Sequence, residues 1–170
     1  VRAGLGDEFA DRLVTNADGA NLHYGIASSL SQAPRADLAV LEVDERVVAD
    51  VIRLGRPEVL TLLNFSRDQL DRHHEIKSLA SAWLGALEQA GSDGPVVVAN
   101  AEEPLIVWAA RNGRKVVWVD TQTMWRADSV LCPECGAGLR RTDPAEGAPG
   151  SWHCTGCDLL APISESTKFE

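Results

Sequence analysis

Hydrophobic and polar positions along this chain fall into two alternating kinds of block. Ala36–Val43 (ADLAVLEV), Pro57–Phe65 (PEVLTLLNF), Pro95–Asn100 (PVVVAN) and Lys115–Asp120 (KVVWVD) are short, nearly continuous apolar runs. Their length and their Val and Leu content predict buried strands rather than helices. The intervening segments carry apolar residues at helical spacing. In Asp44–Leu54 these are Val47, Val48, Val51 and Ile52. In Asp71–Ala90, the strongest amphipathic pattern, Ile76, Leu79, Ala80, Trp83, Leu84 and Leu87 share one face. Pro104 suits the first turn of a third helix, to Arg111, and Leu22, Ile26 and Leu30 mark a helix within Gly19–Ser31. Strands alternating with helices predict an α/β fold, a mostly parallel sheet with helices on both faces. Ligands in such sheets bind beyond the carboxyl ends of the strands. That rule selects Glu42 and Asp44, the segment 64–71, the segment 100–103, and Asp120.

Composition narrows the class. The 170 residues, 45% of them hydrophobic, suffice for one core and a small accessory module. No apolar run approaches the ~20 residues needed to span a bilayer. Val1–Ala10 has the form of neither a signal nor a transit peptide, so the expected location is cytoplasmic. A net charge of −9 with three lysines leaves no basic surface for phosphates, which disfavours a nucleic-acid partner. Arg140–Arg141 is expected to be a solvated turn, with the helix-starting pair His73 and His74 on the surface.

The four cysteines form two Cys-x-x-Cys knuckles, Cys132/Cys135 and Cys154/Cys157, with eighteen residues between them. Each two-residue gap lets two thiolates on one turn face a common point, and two such turns supply a tetrahedral set suited to Zn²⁺. Disulfides or redox dithiols are the alternatives. His153 beside Cys154 is expected to be a bystander. A closed four-thiolate site has no open position for substrate, so this zinc ribbon, spanning 128–162, is expected to fold the segment without catalysing anything.

The strings TNADGANLHYGIASSL (15–30), LEVDE (41–45), LLNFSRDQLDRHHE (62–75), VVANAEEP (97–104) and DSVLCPECGAGL (128–139), in this order, resemble the central, ATP-binding domain of the Mur ligase family. They most resemble its MurT-type branch, in which a four-cysteine ribbon interrupts the central domain. The resemblance implies a partial ATP-binding domain over 1–127, the ribbon, and a tail at 163–170. It implies a carbon–nitrogen ligase that activates the D-glutamate carboxylate of lipid II as an acyl phosphate. Ammonia from a separate, GatD-like glutaminase subunit then amidates it, at the inner face of the bacterial membrane.

Residue roles follow from the same resemblance. Glu42 matches the family's magnesium-binding glutamate. Asp68, Gln69, Asp71 and Arg72 match a catalytic and nucleotide-binding motif in which Gln69 stands where most members have histidine. Asn100 matches an asparagine near the adenine, with Glu102–Glu103 replacing the family's aspartate pair. Asn16 and Asn21 resemble positions near the nucleotide or substrate. The Gly-Lys-Thr phosphate loop is missing: no Gly-Lys dipeptide occurs in the sequence. The chain alone is therefore expected to be inactive, as a piece of a longer ligase. The alternative is a non-catalytic interaction module derived from one.

Overall fold

In the computed structural model, the structure describes residues 12–16, 19–65, 73–120, 130–142 and 151–165. The chain divides into two compact units, residues 1–48 and 49–170, which are taken in turn.

In the first unit, strand β1 (Leu13–Val14) pairs in parallel with β2 (Leu38–Ala39), and helix α1 (His23–Ser31) lies between them in sequence. The side chain of Arg12 pairs bidentately with Asp37, tying together the segments just before the two strands. Strand β2 is much shorter than the expected 36–43, and the reason is a side chain from outside the run. The backbone N–H and C=O of Glu42 pair with the side-chain amide of Asn16 instead of with a neighbouring strand. Helix α1 starts later than the expected Gly19, which has φ +74°. Gly25 permits a close approach within this helix, because a Cβ there would lie 2.5 Å from the carbonyl oxygen of Ala20.

Asp44 delays the next helix. Its carboxylate accepts the Arg46 backbone N–H and pairs with the Arg46 guanidinium, shaping a turn rather than a helical start. Helix α2 is accordingly only Val48–Asp50, and it widens into a π-helical turn over Val51–Gly55 that buries Ile52. Arg56, left-handed at φ 45°, ends it.

The second unit follows the predicted alternation closely. Strands β3 (Val59–Leu62), β4 (Val96–Asn100) and β5 (Lys115–Val119) form a parallel sheet in the order β3-β4-β5. Helix α3 (His73–Ala90) crosses from β3 to β4, and α4 (Pro104–Ala110) from β4 to β5. Successive right-handed crossovers in one direction put both helices on one face of the sheet, and α3 and α4 do pack against each other. Ala80, Trp83, Ala86 and Leu87 of α3, Leu60 and Leu62 of β3, Val97 and Ala99 of β4, and Ile106 through Ala110 of α4 are buried. The ring of Phe65 stacks on Trp83 at 4.4 Å between centroids.

On the opposite face Val96 and Val98 of β4 are half-buried. Burial in β3 alternates, with Val59 and Thr61 exposed. The unit also contains an antiparallel hairpin of β6 (Leu139–Thr142) and β7 (Ser151–Cys154), which carries the second half of the cysteine motif. No helix among the described residues is long and apolar enough to cross a membrane.

Candidate functional site

The parallel register of the second unit aligns the carboxyl ends of its strands. Leu62 pairs with Ala99, Ala99 with Trp118, and Asn100 with Val119. Asn64, Asn100 and Asp120 therefore stand at one edge of the sheet, as the strand-end rule predicts. Asn100 is the most constrained of them. It is 3% exposed, the sole buried polar residue among those described. Its side-chain oxygen accepts the Glu102 N–H at 3.0 Å, folding 100–102 into a tight turn. Its NH₂ group has no hydrogen-bond partner among the described residues, which leaves two donors for a ligand at the sheet edge.

The neighbouring acids divide their work. Glu103 is the N-cap of α4: its carboxylate accepts the Leu105 N–H at 3.3 Å, and Pro104 occupies the first turn. One member of the pair that replaces the family's aspartates is thus committed to starting the helix.

In the first unit, Asn16 spends its amide on the backbone. Its nitrogen donates to the carbonyls of Ala20 (2.8 Å) and Glu42 (2.7 Å), and its oxygen accepts the Glu42 N–H at 2.8 Å. Asn16 therefore fixes Glu42, whose side chain is exposed. Asn21 accepts the Asp44 N–H through its backbone oxygen at 3.1 Å. The Arg46 hydrogen bond and charge hold the Asp44 carboxyl below its ordinary range. A cleft of about 450 Å³ lies between β1 and α1, lined by Val14, Thr15, Ala20, Gly25 and Ser29 among others, none of them ionisable. Asp68, Gln69, Asp71 and Arg72 lie outside the described residues.

The cysteines come together as their spacing predicts. Cys132, Cys135, Cys154 and Cys157 place their sulfurs within 4.8 Å of one another, with 3.6 Å for Cys132–Cys157 and 3.4 Å for Cys135–Cys154. A disulfide needs about 2.05 Å, and all four thiols are free. Four sulfurs around one tetrahedral ion would sit about 3.8 Å apart, so the cluster has the size of a metal site.

Each knuckle is built for the purpose. The Gly136 N–H closes the first on the Cys132 carbonyl at 2.9 Å, and Gly136 takes φ +77°. In the second, the Gly156 N–H points at the Cys154 sulfur at 3.3 Å and draws its thiol down to about 7. The Leu159 N–H favours the Cys157 thiolate, but burial and the neighbouring sulfurs outweigh it and push that thiol up to about 12. Burial raises Cys132 as well. His153 is exposed and outside the cluster.

Nothing in the sequence signals how the hairpin attaches to the sheet. The buried indole of Trp152 donates to the Ala101 carbonyl at 3.0 Å. Arg141, expected to be solvated, sits in β6 and reaches the Glu102 carbonyl at 3.4 Å. Arg111, at the end of α4, pairs with Glu134 of the first knuckle and lies 6.0 Å over the ring of Trp108.

A family model described as the Mur ligase middle domain matches residues 4–130. The chain belongs to the Mur ligase middle-domain family. Among curated proteins it is similar to the lipid II isoglutaminyl synthase (glutamine-hydrolyzing) subunit MurT of Streptococcus pneumoniae (strain ATCC BAA-255 / R6). The two are 26% identical over 173 residues, covering 95% of this chain and 38% of that protein. The subunit of the same name from Staphylococcus aureus (strain COL) is 26% identical over 152 residues, covering 84% and 34%. The chain thus spans little more than a third of the length of these relatives. The Mur ligase match stops at 130, before the first cysteine. The 5% of the 170 residues left out of the S. pneumoniae alignment amounts to fewer than ten, so the aligned stretch extends past Cys157.

Proposed function

We propose that this chain is the nucleotide-handling middle segment of an ATP-dependent amide ligase of peptidoglycan synthesis. The ligase would convert the D-glutamate of lipid II to D-isoglutamine. The observation that carries this is an alignment, through both the Mur ligase middle domain and the cysteine hairpin, with the S. pneumoniae protein named as a subunit of glutamine-hydrolyzing lipid II isoglutaminyl synthase.

Bound Mg²⁺·ATP would supply the phosphoryl group that activates a carboxylate for attack by ammonia from a glutaminase subunit. The residues divide into holders and positioners. Glu42 offers a hard carboxylate oxygen for Mg²⁺. Asn16 and Asn21 hold the backbone on either side of that oxygen. Asn100 offers its two unpaired donors to the base or ribose at the sheet edge. Asp68, Gln69 and Arg72 complete the set by resemblance. The four cysteines hold a structural Zn²⁺ with no open coordination position. No Gly-Lys dipeptide occurs in these 170 residues. The backbone cradle and lysine for the β- and γ-phosphates therefore come from elsewhere in the ligase, and the chain by itself is inactive. The ligase works from the cytoplasmic side on a lipid-linked substrate at the membrane surface.

The test is Mg·ATP affinity, by calorimetry, of a longer protein containing this segment and a phosphate loop, co-expressed with a glutaminase. Glu42→Gln is expected to weaken Mg-dependent nucleotide binding about tenfold or more, as loss of a metal ligand or its support does. Unchanged affinity would remove Glu42 from the magnesium site. Failure of the parent protein to bind nucleotide would overturn the functional reading itself.

A further inference from the structure

We propose that the cysteine hairpin clamps the turn at the end of β4, with Trp152 and Arg141 as positioning residues, so that the metal state of the cysteines sets the rigidity of that turn. The first argument is an account of backbone partners. In the turn, the Ala101 N–H goes to the Val119 carbonyl and the Glu102 N–H to the side chain of Asn100. The carbonyls of the same two residues receive their donors from the hairpin, one from Trp152 and one from Arg141. Two of these four hydrogen bonds thus arrive from residues 39 and 51 positions away.

The second argument is register. Arg141 and Trp152 are direct cross-strand partners in the antiparallel hairpin, so their side chains project from the same face and reach adjacent carbonyls together. Cys154, two residues beyond Trp152, shares that face by the strand period of two. The metal-binding thiol and the clamping indole are therefore placed by a single strand.

The third argument is stability. Each strand of the hairpin has four residues, and an isolated two-stranded hairpin is marginal in water. What holds it is the pair of knuckles, tied further by the Cys154 N–H to the Leu159 carbonyl at 2.8 Å and the Thr155 N–H to the Gly138 carbonyl at 3.1 Å. Without an ion joining the four sulfurs, both clamping donors lose their fixed platform. Asn100 depends on the same turn, because its side-chain oxygen is spent on it. The inference thereby deepens the proposed nucleotide role of that residue, on which its functional consequence rests.

The test uses site-resolved amide hydrogen exchange on the full chain, zinc-loaded and after chelation. Trp152→Phe keeps a six-membered aromatic ring and removes the N–H donor with the rest of the indole. It is expected to speed exchange of the Glu102 amide about tenfold while the β4 interior amides of Val97 and Val98 keep their parent rates. Chelation should produce at least that local loosening in the parent chain, because it releases both donors, and adding chelator to the Phe variant should add only the contribution of Arg141. Arg141→Met gives an independent second variant should the first fold poorly. Unchanged exchange at Glu102 in both variants, or acceleration spread evenly over β3, β4 and β5, would overturn the clamp. Mg·ATP affinity of the longer ligase provides the separate arm. A loosened turn with unchanged affinity would refute the functional link and leave the clamp standing, whereas no nucleotide binding in the parent would refute the ligase reading alone.

Discussion

Removing the side-chain amide of Asn16 is the sharpest perturbation available in the first unit. Asn16→Ala deletes three hydrogen bonds, two to Glu42 and one to Ala20, each between 2.7 and 2.8 Å. A protein hydrogen bond contributes about 0.5–1.5 kcal/mol net of the water it replaces. The two bonds to Glu42 are at exposed positions, where water substitutes readily, so the sum falls near the low end, about 2 kcal/mol. Unfolding followed by tryptophan fluorescence would miss this change, because the five tryptophans all lie from Trp83 onward. Amide exchange at Glu42 reports it directly, since that N–H is bonded to Asn16 itself. A loss of about 2 kcal/mol corresponds to roughly thirtyfold faster exchange. Asn16→Asp should be at least as harmful, because it keeps the acceptor for the Glu42 N–H but turns a carboxylate oxygen toward two carbonyls. A change of less than about threefold in both variants would refute the reasoning. Glu42 would then be held by something other than Asn16.

Other outcomes follow from single positions. Gly25→Ala should destabilise the first unit, although helix propensity alone favours Ala by about 1 kcal/mol, because the new Cβ would meet the Ala20 carbonyl at 2.5 Å; protection of the α1 amides gives the sign. Gly136→Ala places a side chain at φ +77° at a cost of about 1–2 kcal/mol, and should lower zinc affinity in a competition titration without altering protection in β3–β5. Leu87→Ala opens a hole beneath α3, where that side chain is 1% exposed, and should cost about 2–5 kcal/mol in denaturant unfolding of the second unit followed by tryptophan fluorescence. Zinc retention should depend on pH with a definite sign. Protons compete for the thiolates, and the Gly156 amide keeps Cys154 ionised down to about 7. Cys157 and Cys132 hold their protons to higher pH, so release to a chelator should decline throughout as pH rises and steepen below about 7, where Cys154 takes up a proton as well; release that grew with rising pH would contradict the assignment.

Helix α3 was legible in the sequence almost to the residue, because its length and its stripe from Ile76 to Leu87 leave no competing period. The parallel strands of the second unit were legible in kind, and their ends drew in, from Pro57–Phe65 to Val59–Leu62, from Pro95 to Val96 and from Asp120 to Val119. The first unit was harder to read. The run 36–43 has the composition of a strand, yet a side chain from position 16 takes the backbone groups of Glu42, and no local pattern signals that. The helix expected from Asp44 onward yields to an ion-paired turn with Arg46, which hydrophobic spacing cannot reveal. The cysteine cluster was readable because the chemistry of a metal site is written in a two-residue gap. The roles of Trp152 and Arg141 were not, since they depend on hairpin register and on a contact across 51 and 39 residues. The only trace in sequence is the two-residue interval between Trp152 and Cys154, which puts both on one face.

The central claim is that this segment serves amidation of a peptidoglycan precursor. Its most direct test is mass spectrometry of lipid II incubated with glutamine, Mg·ATP and a complex of the glutaminase with the longer ligase containing these residues. The account predicts conversion of the D-glutamate carboxyl to a carboxamide by the parent complex, dependent on ATP, and its loss in Glu42→Gln. Unmodified lipid II with the parent complex, or equal conversion by the variant, would contradict it.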